Sequence, residues 1–276
     1  MTDFRNKYSV LQDFFGHSQF RNGQEQIIDS ILAGRDCLGV MPTGAGKSMC
    51  YQIPALMFDG ITIVVSPLIS LMKDQVNSLI QSGVRAAYLN SSLTAAQYEM
   101  AISNAARGMY KIIYVAPERL ETWGFLDFAT HVEISMITVD EAHCISQWGQ
   151  DFRPSYLRIK AFVDSLPSRP VMGAFTATAT RSVQEDVERI LELRSPVREV
   201  TGFEADQLTL VDTDQGTQKR EDFVWTCAGE GQEQLFRGCI LDDGFYHYVL
   251  LAQTDADSAS AVQGDWERLF QSFWVV

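Results

Sequence analysis

The octapeptide Met41-Pro-Thr-Gly-Ala-Gly-Lys-Ser48 has the makings of a phosphate cradle. Gly44, Ala45 and Gly46 are small enough for successive backbone N–H groups to curl around an anion, and a helix starting here would aim its positive end at the same point. In such a loop Lys47 reaches the β- and γ-phosphates of a nucleoside triphosphate, the Ser48 hydroxyl ligates Mg²⁺, and Pro42 and Thr43 form the approach. The strict pattern begins with Gly, whereas this chain has Met41, and a glycine turn without a ligand shares the composition. A second group, Asp140-Glu-Ala-His143, follows the apolar run Ile134–Val139. Asp140 suits the same Mg²⁺ and Glu141 suits polarisation of an attacking water; with Lys47 and His143 they form the candidate catalytic set. Alone, the tetrapeptide reads equally as a helix start capped by Asp140. Beside a phosphate loop, the chemical reading is the stronger.

Both groups need strand ends to hold them. Strand-like apolar runs occur at Asp36–Met41, Ile61–Ser66, Ala86–Leu89, Lys111–Val115, Ile134–Val139 and Val171–Thr176, interleaved with helical periodicity such as Ser70–Ser82 and Ala95–Arg107. This alternation predicts an α/β fold, a parallel sheet with helices on both faces whose chemistry gathers at the carboxyl ends of the strands. From residue 204 onward the pattern changes. Short runs at Thr209–Val211, Asp222–Cys227, Gly238–Leu241 and Phe245–Leu251, with turns at Gly216, Gly229, Gly231 and Asp242-Asp-Gly244, predict a small, mainly antiparallel β module. Asp255–Ala261 reads as a polar loop. Gly264–Phe273 reads as a terminal amphipathic helix carrying Trp266, Leu269, Phe270 and Phe273. The expected domains are therefore 1–203 and 204–276.

Charge follows the same division. Of the net −13, residues 1–203 hold 18 Lys+Arg against 21 Asp+Glu, and residues 204–276 hold 4 against 14. The near-neutral front can present a local basic surface to a polyanion, whereas the acidic tail would repel one, so any nucleic-acid contact belongs to the front. Cys37, Cys50, Cys144, Cys227 and Cys239 are odd in number and never paired as C-x-x-C, which predicts neither a disulfide framework nor a zinc site. With no long apolar run and no signal-like N-terminus, the expectation is a cytoplasmic protein without a membrane partner.

Taken together, Leu11-x-x-x-Phe15-Gly-x-x-x-Phe20-Arg-x-x-Gln24, the phosphate loop, Asp140-Glu-Ala-His143-Cys-Ile-Ser-Gln-Trp-Gly149, Asp151-Phe-Arg-Pro154 and Phe175-Thr-Ala-Thr-Ala-Thr180 resemble the RecQ group of superfamily-2 helicases over about residues 8–203. The resemblance implies a RecA-like domain that couples ATP hydrolysis to 3′ to 5′ movement on single-stranded DNA or at its junctions with duplex, in DNA recombination and repair. It implies that Arg21 and Gln24 hold the adenine; read in isolation, Gln24 would be an exposed helix position. It also implies that Gln147, Trp148, Phe152 and Arg153 sense DNA. Here the aromatic faces can stack on bases and Arg153 can meet phosphate, although Trp148 and Phe152 could equally be core residues. Thr176 and Thr178 match the motif linking the ATP site to the DNA track, and their hydroxyls can bond the Asp140–His143 loop; threonines also simply finish strands. Ser66, Lys73 and Arg119, from Ser66-Pro-Leu-Ile-Ser-Leu-Met-Lys-Asp-Gln75 and Val115-Ala-Pro-Glu-Arg-Leu120, match more loosely as DNA-backbone contacts.

The resemblance ends near Phe203, where family members continue into a second RecA-like domain that supplies a transition-state arginine worth ~10³ or more in rate. The expectation is ATP and Mg²⁺ binding, slow hydrolysis at best and little or no unwinding, with a protein partner as the source of such a domain. The alternative is a catalytically incomplete ATP- and DNA-binding module, or a truncated regulatory relative.

Overall fold

The computed structural model describes residues 6–148, 151–201, 204–213, 216–228, 233–242, 247–255 and 259–272. Chain contacts divide into two compact units, Met1–Val200 and Thr201–Val276.

In the first unit the order is α1 (Lys7–Phe15), α2 (Gln24–Leu32), β1 (Cys37–Val40), α3 (Lys47–Met57), β2 (Ile61–Val65), α4 (Ile69–Gln81), β3 (Ala86–Leu89), α5 (Ala95–Ala106), β4 (Ile112–Val115), α6 (Trp123–His131), β5 (Ile134–Val139), α7 (Ile159–Asp164), β6 (Val171–Thr176), α8 (Arg181–Leu191) and β7 (Val197–Val200). The strands form one sheet in the order β3-β4-β2-β5-β6-β1-β7, and every pairing in it is parallel. Period-two alternation decides which helix covers which side. Leu38, Ile63, Val65, Ile113, Val115, Ile137 and Val139 face a core shared with α5, α6, α7 and α8. Cys37, Val64, Ile112, Tyr114 and Met136 face the opposite core, with α2, α3 and α4. Such side chains, near 0% exposed, each contribute about 1.5–3 kcal/mol on burial. A smaller cluster of Val10, Leu11, Ile28 and Ile53 seats α1 on α2 and α3.

Local chemistry sets the ends of the helices. Thr94 and Gln97 form a capping box at α5, and the Thr180 side chain accepts from the Val183 amide to start α8. Val183, Val187 and Leu191, four residues apart, bury one stripe of α8. The buried Asp36 ties the N-terminal ends of three strands together. It receives both Arg169 guanidinium nitrogens (3.1 and 2.5 Å), the Met172 amide (2.9 Å) and the Arg194 amide (2.7 Å), while its carbonyl accepts from Val197 (2.9 Å).

All six expected strands of the first unit form. The seventh, β7, was not anticipated; it has four residues, and its alternate side chains are exposed. The second unit, by itself, is an antiparallel sheet ordered β11-β10-β9-β8, from β8 (Glu204–Thr213), β9 (Gly216–Ala228), β10 (Glu233–Asp242) and β11 (His247–Asp255), followed by α9 (Ala259–Ser272). Asp255 ends a strand instead of opening a loop. The helix starts at Ala259, five residues before the expected Gly264, in keeping with the high helix propensity of alanine at 259 and 261. Leu269 on that helix is 46% exposed. The expected turns at Gly229, Gly231, Asp243 and Gly244, together with Gly149 and Phe273, lie outside the described residues. Cys37, Cys50, Cys144 and Cys239 are buried thiols, and no helix among the described residues is long and apolar enough to cross a membrane.

Candidate functional site

The loop between β1 and α3 lies at the carboxyl end of its strand, where the turn requires left-handed backbone. Gly44 and Gly46 have φ of 87° and 82°, a region that glycine enters without strain. Lys47 is the first residue of α3, so the loop amides and the positive end of that helix converge. Gln24, only 3% exposed, buttresses the loop from below. Its Nε2 donates to the carbonyls of Gly46 (3.0 Å) and Ala45 (3.3 Å), and its Oε1 accepts from the Arg21 amide (2.8 Å). The Arg21 guanidinium donates to the Gly44 carbonyl. The exposed position that Gln24 suggests in isolation is thus corrected: at the start of α2 its amide faces the loop.

Above the loop opens a cavity of about 430 Å³, lined by Pro42, Thr43, Gly44, Gly46, Lys47 and Ser48, by Arg21 and Gln24, and by Asp140 and Glu141. Lys47 and Asp140, 93 positions apart in the sequence, thus line one cavity. Met41 does not reach it. Its strand parity turns it into the core at 0% exposure, with its sulfur 3.6 Å from Cys50 Sγ. Leu11, His17, Gln19, Met49, Tyr51, Leu71 and Gln75 complete the lining. Sequence reading gave none of these a place at the phosphate site, although Leu11, Leu71 and Gln75 fall within segments that carry the resemblance. The one signal available was spacing, since Lys47/Tyr51 and Leu71/Gln75 are each four apart and share a helix face.

Asp140 follows β5 and is 6% exposed. Burial, and then the neighbouring Glu141 charge, push its carboxyl up to about 6 despite the nearby Lys47. Its Oδ1 accepts from the Glu141 amide (3.1 Å), and its carbonyl accepts from the buried Tyr156 hydroxyl (2.9 Å). Glu141 sits at φ 50°, a left-handed conformation rare for a residue with a side chain and one that clusters at functional sites. Its carboxyl is held below the ordinary range by hydrogen bonding to His143. His143 is in turn pushed up to about 9 by the Cys144 sulfur and the Glu141 carboxylate; the Glu141 Oε2 lies 3.3 Å from its Nδ1. The Thr176 hydroxyl donates to the Thr178 carbonyl (3.0 Å), and its oxygen lies 2.8 Å from His143 Nδ1. The loops after β5 and β6 are therefore joined by hydrogen bonds.

The residues matched to a DNA track spread along the same edge of the sheet. Gln147 and Trp148 are exposed, Trp148 at 79%, while Phe152 is half-buried. Arg153 donates to Asp151 Oδ2 (2.7 and 3.0 Å) and to the Pro67 carbonyl (3.2 Å), which bridges the segment after β5 to the loop after β2. The Lys73 ammonium lies over the Tyr88 ring, and the Arg119 guanidinium lies over the Tyr98 ring while donating to the Asn90 carbonyl. Ser66 is not brought to the surface. It is 1% exposed, and its hydroxyl has no partner. The buried Ser146 hydroxyl donates to Asp186 on α8 (2.8 Å) and accepts from the Trp148 amide (3.1 Å), anchoring the root of the aromatic segment.

Comparison with known proteins agrees with this geometry. Residues 21–187 match the family described as DEAD/DEAH box helicase. The chain is 49% identical over 187 residues to an ATP-dependent DNA helicase RecQ of Pasteurella multocida, covering 68% of this chain and 29% of that protein. It is 45% identical over 202 residues to the RecQ helicase of Bacillus subtilis, covering 73% and 34%. The chain thus spans about a third of the length of these relatives. Among solved structures, the Pyrococcus furiosus Hef helicase domain aligns with a TM-score of 0.53 at 21% identity over 66% of this chain and 38% of its own. The helicase MrfA bound to DNA aligns with a TM-score of 0.55 at 18% identity over 72% and 30%. These two show the fold, a RecA-like parallel sheet with helices on both faces. A match across more than half of the residues, a range that includes the phosphate loop and the Asp140–His143 segment, means that the chain belongs to the DEAD/DEAH box helicase family.

Proposed function

We propose that residues 1–203 form a DNA-stimulated ATPase of helicase type, which binds ATP with Mg²⁺ and single-stranded DNA or its junctions and moves 3′ to 5′, in the cytoplasm. The observation that carries this reading is the convergence of Lys47, Ser48, Asp140 and Glu141 on one cavity buttressed by Arg21 and Gln24. Ser48 and Asp140, which line the same cavity, carry hard oxygen donors of the kind that suits an ion taking one or two protein ligands besides phosphates and water. When bound, Mg²⁺ offsets the charge of the transferring phosphoryl group. Lys47 and the amides at the start of α3 receive the phosphates. Glu141, ionised, orients a water and accepts its proton, and His143 holds Glu141 while contacting Thr176, which links hydrolysis to the loop after β6. Bases stack on Trp148 and Phe152, and Arg153, Lys73 and Arg119 lie along the backbone.

One observation favours a second reading, a nucleotide- and DNA-binding domain that does not turn over unaided. Among the described residues Arg21 is the one arginine lining the cavity, and its guanidinium is engaged by Gly44. On that reading a partner bearing a second RecA-like domain supplies the missing cation. Steady-state ATP hydrolysis with and without single-stranded DNA separates the two. Turnover that DNA raises and Glu141→Gln removes supports the motor; nucleotide binding without turnover supports the module. Lys47→Ala is expected to lose nucleotide binding in either case.

A further inference from the structure

A chain of buried polar groups runs beneath the cavity. Gln52 on α3 is 3% exposed and spends both Nε2 hydrogens, one on Gln75 Oε1 (3.1 Å) and one on the hydroxyl of the fully buried Tyr114 (3.1 Å). The Tyr114 hydroxyl lies 3.5 Å from that of Tyr51. Tyr51 follows Lys47 by one turn of α3, so the two share a face, and both line the cavity with Gln75, Leu71, Asp140 and Glu141. Burial, then Tyr114 and Asp140, push the Tyr51 phenol well above its ordinary value, which places Tyr51 within the field of Asp140. Gln75 therefore lines the same cavity as Lys47 and the two carboxylates. With its oxygen committed to Gln52, the polar group that it offers the cavity is the amide nitrogen, with two donors.

We propose that Gln75 is a specificity-determining residue: its carboxamide nitrogen, oriented by Gln52, donates to the terminal phosphate of a nucleoside triphosphate, so that the site separates triphosphate from diphosphate. This rests on the ATP-binding reading above. Gln52 is a positioning residue in the same device. It fixes which end of the Gln75 amide faces the ligand, because a reversed amide would turn an acceptor toward an anion. Tyr114 on β4 holds Gln52 in turn, so the sheet itself sets the orientation.

The test is equilibrium binding of fluorescent non-hydrolysable ATP and fluorescent ADP to the whole chain with Mg²⁺. Gln75→Leu is expected to weaken the triphosphate about tenfold, the scale of a lost hydrogen bond to a charged group, and to leave the diphosphate within about twofold. Gln75→Glu keeps an oxygen for Gln52 and sets a negative charge beside the phosphates, so its triphosphate loss should be larger. Gln52→Leu should lower the same ratio without touching the ligand. Gln75→Met, close in volume, replaces the leucine variant if that variant does not fold. Equal weakening of both nucleotides, or no weakening, overturns the inference. Wild-type protein that binds neither nucleotide overturns the ATP-binding reading itself and the inference with it.

Discussion

At the scale of single residues, the site was legible wherever chemistry constrains both type and spacing. Lys47 and Ser48 announce themselves through their glycines, and Asp140 and Glu141 through the apolar run that delivers them to a strand end. Residues whose role comes from a fold-made neighbour were not legible. Gln24 gives no sign in the sequence that its amide will sit under the carbonyls of Ala45 and Gly46. Nothing in the sequence sets Gln75 beside Gln52, 23 positions away. Met41 shows the reverse error, since its place in a motif suggested ligand contact while strand parity buried it. Gly46 yields a sharp prediction. A Cβ there would overlap Gln24 Nε2, at a φ of 82° that L side chains rarely adopt. Gly46→Ala should therefore displace Gln24 and strain the loop by about 1–3 kcal/mol, lowering nucleotide affinity at least tenfold in a titration while the thermal midpoint moves by only a few degrees.

Among the elements, periodicity revealed the strands that are buried on both faces and missed the one that is not. β7 has four residues with alternate side chains exposed, so it lacks the apolar run that identified β1 to β6. The start of α9 was misplaced because short polar side chains signal loop and helix cap alike. Helix α8 was not read as anything beyond a cover for the sheet, yet Asp186 on it holds the Ser146 hydroxyl, which holds the Trp148 amide. Contact with Arg189, then with Ser146, keeps the Asp186 carboxyl below the ordinary range. Asp186→Ala leaves the fully buried Ser146 hydroxyl without its acceptor and should cost about 1–3 kcal/mol. A urea midpoint shifted down at unchanged slope would register that cost. A steady-state anisotropy of Trp148 lower than in the parent, with the other tryptophans replaced by phenylalanine, would show that the aromatic segment has come loose.

For the molecule as a whole, the acidic excess beyond residue 203 and the change from alternating to mainly β patterning both marked a second unit, and the contacts divide at Val200. The first unit owns a complete seven-stranded sheet with cores on both faces. Residues 1–200 expressed alone should therefore unfold in a single cooperative heat transition, and a gradual loss of signal across the scan would show that they depend on the rest. Within that unit β1 is an early strand with late partners. Cys37 pairs with Gly173 on one side and Val197 on the other, and the Asp36 carboxylate meets the Met172 amide 136 positions away. A ribosome delivers the N-terminus first, so the strand under the phosphate loop emerges long before either flank exists, and long-range parallel pairing is slow to form. On the ATP-binding reading proposed above, nucleotide is therefore not expected to template the early stages of folding. Nascent chains stalled short of β6 would carry every residue of the loop and bind no ATP, leaving Cys37–Val40 as an apolar segment better suited to a chaperone than to a substrate.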